Sequence, residues 1–164
     1  MQIKFYGKNV KLSSNSNLRI EDIDQAARFY ADMLMTKRLT KNLTIEIRFD
    51  KTAWKKSDDA LCEIEDWDSR SPRWFKIYIK PNLPRARILK ALAHEFVHVK
   101  QYATNELKQY VKSSSVVRWQ KKMIDEDKIS YWDQPWEIEA FGREVGLYLR
   151  YVEHEKTKKQ KPNG

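Results

Sequence analysis

Two histidines stand four residues apart in His94-Glu95-Phe96-Val97-His98, and a glutamate follows the first of them. On an α-helix that spacing stacks both imidazoles on one face, where their ring nitrogens can reach a single ion. Glu95 is then placed beside the ion's open position, where a carboxylate can take a proton from water. These residue types at this spacing are suited to hydrolysis at a zinc ion. The flanking residues favour the helix. The stretch 85–93 is made of good helix formers with apolar residues at 88, 89, 92 and 93, and Pro84 suits a helix start. Val97 and Val99 continue the apolar character, so the pentad is expected in a buried helix. Two histidines and a glutamate are costly there unless something pairs them.

A hydrolytic zinc site needs a third protein ligand and an open fourth position. The chain has three histidines and one cysteine. His154 sits in the charged segment Glu153-His154-Glu155-Lys156, which reads as solvated, and Cys62 reads as a small apolar strand residue. The better candidates are the carboxylates after Pro135: Glu137, Glu139 and Glu144. Asp133 can cap a helix there, and Pro135 fits its first turn. Ile138, Phe141, Val145, Tyr148 and Leu149 are expected to form its buried face. At about 100° per residue, Glu137 lies roughly 70° from the middle of that face, Glu144 roughly 90° and Glu139 roughly 130°. Glu137 is favoured as the ligand. Glu139 is left to bind a partner or face water. Ala140 and Gly142 would let the two helices approach closely.

The pentad HEFVH at 94–98, followed by a helix carrying Glu137-Ile138-Glu139-Ala140, resembles the gluzincin branch of the zincin metallopeptidases. The resemblance implies a third ligand glutamate three residues before an alanine, which Glu137 and Ala140 match. The stretch from Tyr131 to Glu137 also resembles small phage-encoded peptidases. The likeness covers residues 74–150. It has departures: the downstream ligand motif of thermolysin-like enzymes is absent, and Gln101 and Thr104 stand where metzincins carry a glycine and a third histidine. Spartan-type proteases share HExxH but take their third ligand from a histidine, and none is suitably placed here.

The resemblance implies a zinc-dependent metallopeptidase in which His94, His98 and Glu137 hold Zn²⁺ and Glu95 is the general base. An oxyanion donor is also expected. Tyr131, Tyr102 and Arg143 stand near the motifs, and Tyr131 is taken as the catalytic candidate. The alternative is a non-enzymatic module that uses zinc only to join two helices, or one that binds nucleic acid.

The remaining segments must position this pair of helices. Residues 2–6 alternate as a short strand, residues 20–35 have a helical pattern, and residues 43–49 and 74–80 alternate as strands, with a weaker strand at 61–64. Residues 105–111 extend or follow the metal helix, Ser113-Ser114-Ser115 is a loop, and 116–124 is expected to be a short helix. The expected class is α+β and zincin-like, with a small antiparallel sheet packed on the metal helix and a second, ligand-bearing helix. The strand 74–80 is either the edge that pairs with a peptide substrate or an interior strand.

A length of 164 residues suits one domain, expected over 1–155, with a disordered basic tail over 156–164. One cysteine excludes an intramolecular disulfide and suits a reducing compartment. No long apolar run suggests a leader or membrane span, so a cytoplasmic location is expected, in a host cell if the chain is phage-encoded. The net charge of +9 is compatible with nucleic acid, an acidic protein or a bacterial surface, but no nucleic-acid motif accompanies it. A peptide or protein is the expected partner. Peptidoglycan is a further possible substrate.

Overall fold

The computed structural model describes residues 1–7, 11–50, 59–110 and 114–160. Among them the chain is a mixed α+β structure with two sheets. Strands β1 (Gln2–Tyr6), β2 (Thr44–Phe49), β3 (Ala60–Ile64) and β4 (Trp74–Ile79) form the larger sheet, in the order β1-β2-β4-β3. The expectation of an antiparallel sheet is corrected. β1 and β4 both run parallel to β2, and only the edge strand β3 is antiparallel to its neighbour. The long connections from β1 to β2 and from β2 through β3 to β4 leave room for parallel pairing, which hairpins do not. Residues 74–79 are therefore interior, and the edge beside the metal helix belongs to β3.

Helix α1 (Ile20–Leu34) packs on α3 (Arg85–Ala103), which packs on the sheet, and α4 (Pro135–Gln160) follows in the chain and packs on both helices. A short α2 (Lys37–Lys41) links α1 to β2. Ile88, Leu89, Leu92, Phe96, Val97 and Val99 of α3 are fully buried. Each such side chain contributes about 1.5–3 kcal/mol of hydrophobic stabilisation, which offsets the cost of holding polar groups on the same helix. Helix α3 ends at Ala103 because Asn105 takes a left-handed conformation (φ 59°), a conformation asparagine tolerates after a helix end.

Beyond that stop the expected helices are replaced by a second, antiparallel sheet: β5 (Leu107–Gln109), β6 (Val116–Trp119) and β7 (Lys122–Asp125). Gln120, with φ 53°, makes the turn between β6 and β7. Ser114 and Ser115 lead into β6, while residues 111–113 lie outside the described residues. Leu107, Val117 and Trp136 form a small core beneath this sheet.

Helix α4 follows a 3-10 turn at Tyr131–Asp133. Gln134, not Asp133, takes the capping position: its carbonyl accepts from the backbone N–H groups of Glu137 and Ile138. The expected buried face is also corrected, except at Tyr148, which packs partly buried against the core. Ile138 is 56% exposed, Phe141 39%, Val145 48% and Leu149 53%, whereas Trp136, Glu137, Ala140, Leu147 and Tyr151 are buried. The helix is turned so that a partly polar face meets α3. The basic tail is helical through Gln160, and residues 161–164 lie outside the described residues. His154 lies on this helix with its ring 5.0 Å from that of Phe29, so it is packed rather than solvated.

The other face of the larger sheet carries a row of alternating charge, with Lys4 opposite Glu46, Glu46 opposite Lys76, and Lys76 opposite Glu63. Glu46 is buried there and accepts from Arg48 and from the Trp74 indole N–H. No described helix is long and apolar enough to cross a membrane.

Candidate metal centre

Helices α3 and α4 run antiparallel and are pinned along their length. Lys100 pairs with Glu139 at 2.9 Å near one end, and Arg85 pairs with Glu155 at 2.7 Å near the other. Between these pairs His94, His98 and Glu137 come together, each less than a tenth exposed. The Nε2 atoms of the two histidines are 3.1 Å apart. Glu137 Oε2 lies 3.3 Å from His94 Nε2, and its Oε1 lies 3.4 Å from His98 Nε2. Metal–ligand lengths of about 2.0–2.2 Å in a tetrahedral site imply donor separations of about 3.3–3.5 Å, close to this triangle.

The outer contacts fix the rings' protonation. His94 Nδ1 lies 2.9 Å from Glu144 Oε2, an acceptor, so Nδ1 carries the hydrogen. His98 Nδ1 lies 2.8 Å from Gln101 Oε1. The Gln101 amide is oriented by its own donors: Nε2 donates to the Trp136 carbonyl at 2.9 Å and to Glu139 Oε2 at 3.0 Å. Its oxygen therefore faces the histidine and accepts from Nδ1–H. With both rings protonated outward, two Nε2 lone pairs face one another and a carboxylate, an arrangement that a cation resolves. Without a metal, protons supply that charge. Burial acts to lower the His94 imidazolium, but Glu137 and Glu144 overcome it and hold it up to about 10. His98 is raised for the same reason, against burial, mainly through Glu137. Burial acts to raise the Glu137 carboxyl, and the two histidines hold it well below the carboxylate range.

Glu95 is buried and lines the same cleft as the triangle. The cleft encloses about 890 Å³ and is bounded by β3, α3 and the 3-10 turn leading into α4. Tyr131, from that turn, donates its hydroxyl to Glu137 Oε2 at 2.8 Å. It sits in an aromatic group with Trp132 and Phe141, and the Phe141 ring lies 4.6 Å from that of His94. Tyr102 lines the cleft one turn after His98. Arg143 is exposed and pairs with Glu139, outside the cleft lining. Cys62 also lines the cleft, where burial, and then Glu95 and Glu63, push its thiol well above the usual range.

The structure thus assembles His94, His98, Glu95, Glu137 and Tyr131 in one place, and it sets Glu139 and Glu144 behind the histidines rather than among the three converging donors. Sequence reasoning missed the orienting roles of Gln101 and Glu144. The available signal was spacing: Gln101 follows His98 by three residues on one helix face. Compared with protein-family models, with curated proteins and with solved structures, the chain matches none.

Proposed function

We propose that this chain is a zinc-dependent peptidase with a zincin-like site, hydrolysing peptide bonds in extended segments laid along α3. The observation that carries the reading is the triangle of His94 Nε2, His98 Nε2 and the Glu137 carboxylate, oriented from behind and opening on a cleft that also holds Glu95. Two imidazoles and one carboxylate suit zinc better than calcium or magnesium, which favour oxygen donors. When bound, zinc would polarise a carbonyl and lower the pKa of water. His94, His98 and Glu137 would hold it. Glu95 accepts a proton from the attacking water and returns it to the leaving amine. Tyr131, released from Glu137, has a hydroxyl able to donate to developing negative charge on the carbonyl oxygen. Strand β3 offers its outer edge for main-chain hydrogen bonds to the peptide.

The test combines metal analysis with one substitution. Protein purified without chelator is expected to hold about one zinc per chain, and Glu95→Gln is expected to keep the metal while losing cleavage of a peptide library. Equal cleavage by Glu95→Gln and the parent, or no zinc after supplementation, would overturn the reading.

A further inference from the structure

The cleft carries different charges at its two ends. Helix α3 lines it with Arg87, Lys90, His94, His98 and Tyr102 in succession. Lys90 precedes His94 by one turn on the same face, a rise of about 6 Å. Arg87 is answered by Asp59, which accepts from it twice, at 2.6 and 2.8 Å. Glu144, the nearest acidic cleft residue on α4, is committed to His94. Lys90 is half-buried in this wall and makes no hydrogen bond or ion pair among the described residues. At the other end stands Glu126, close enough to Tyr102 and Glu137 to act on both electrostatically.

The direction of β3 relates these ends to a substrate. Asp59, just before β3, meets Arg87, while Cys62 within β3 lies near Glu95 and Tyr102. Strand β3 therefore runs along the cleft in the same direction as α3. A peptide added antiparallel to its outer edge, the slightly more stable pairing, runs the opposite way. Its amino side then lies toward Glu126 and its carboxyl side toward Lys90.

We infer that Lys90 receives a substrate carboxylate on the leaving-group side of the scissile bond, which rests on the peptidase reading above. The carboxylate comes either from an Asp or Glu side chain or from the chain's own C-terminus. An ammonium that is partly withdrawn from water and has no partner among the described residues is a strong site for such a group. At about 3.3 Å per extended residue, one turn of α3 corresponds to about two substrate residues beyond the bond cut.

The experiment maps cut sites in a peptide library treated with zinc-loaded protein. Cuts are expected to be enriched where a carboxylate follows within two residues, and Lys90→Glu should reverse the preference toward Lys and Arg. Paired peptides separate the sources: Asp or Glu against Asn or Gln within the chain, and free acid against amide at its end. In Lys90→Met the acid-to-amide ratio should fall about tenfold, with a melting curve matching the parent's showing that the fold is kept. Enrichment that is absent, that lies on the amino side, or that survives Lys90→Glu would overturn the assignment. If the parent cuts nothing, the peptidase reading fails on its own, and Lys90 is judged by binding. Fluorescence anisotropy should then show tighter binding of a labelled free-acid peptide than of its amide, and equal binding in the parent would overturn the proposal.

Discussion

Replacing Gln101 with methionine keeps its length and removes three hydrogen bonds at once. Gln101 is fully buried, accepts from His98 and donates to Trp136 and Glu139. The His98 ring would lose the contact that fixes its Nδ1–H outward, and with it part of its orientation toward the ion. Loss of such an outer partner costs about 10–100-fold in metal affinity, or about 1.4–2.7 kcal/mol. The metal-free fold should also weaken. Three buried polar groups lose a partner, at about 1–3 kcal/mol for each one left unsatisfied. Glu139 retains Lys100 and Arg143 and the Trp136 carbonyl retains its place in the α4 ladder, so the loss is set by His98 Nδ1–H and a total of about 1–3 kcal/mol is expected. Zinc affinity is read by competition with a chromogenic chelator, and stability by thermal melting of the metal-free protein. An unchanged affinity together with a lowered melting temperature would refute the argument, because it would make Gln101 a packing residue with no part in orienting His98.

Glu137→Gln should weaken zinc binding far more than Glu139→Gln, since only the first carboxylate stands within the triangle; chelator competition on both variants compares them. Tyr131→Phe should keep its zinc and lower kcat more than KM, as steady-state kinetics on a cleavable peptide would show. In the metal-free protein the His94 imidazolium is raised from 6.5 to about 10, so its contribution to stability is fully present below about pH 6.5 and disappears as the pH rises through about 10. Melting temperatures of the metal-free protein should therefore decline across that window relative to the zinc-loaded protein. Zinc must displace the same protons, so its apparent affinity should rise with pH between 6 and 8, a change that titration in weakly buffered solution detects as released acid.

The metal helix was legible because its signals agree: helix formers, a proline at the start, and two histidines at helical spacing. Helix α4 was legible as a helix but not in its rotation. Apolar periodicity pointed to Ile138, Phe141, Val145 and Leu149; Ile138, Val145 and Leu149 face outward and Phe141 lies against the His94 ring at the cleft, because the inner face is occupied by Glu137 and Glu144, which meet histidines instead of water. The structure does bring Glu137 beside the pair, although the apolar face from which its direction was measured is not the buried one. The hairpin at 116–125 was hidden because its apolar positions imitate a helical spacing and its turn is made by Gln120, without the Asn-Gly or Gly signal that marks such turns. Parallel pairing in the larger sheet depends on which distant strands meet, and alternation within one strand carries no such information.

The pairing of α3 with α4 has a topological consequence. The converging donors are supplied by His98 on one side of the chain's second sheet and by Glu137 on the other, so an ion held by them would close the intervening segment into a ring. For a loop of about 39 residues, chain-entropy arguments give such a clasp about 4 kcal/mol of leverage over the unfolded chain, comparable to a disulfide. The β5–β7 sheet would then lie inside the ring, packed on the helices through Trp136 and Tyr102 beside the clasp. A cut made within that ring, between β6 and β7, would leave two fragments still fastened together, and their separation by a chelator would reveal the clasp.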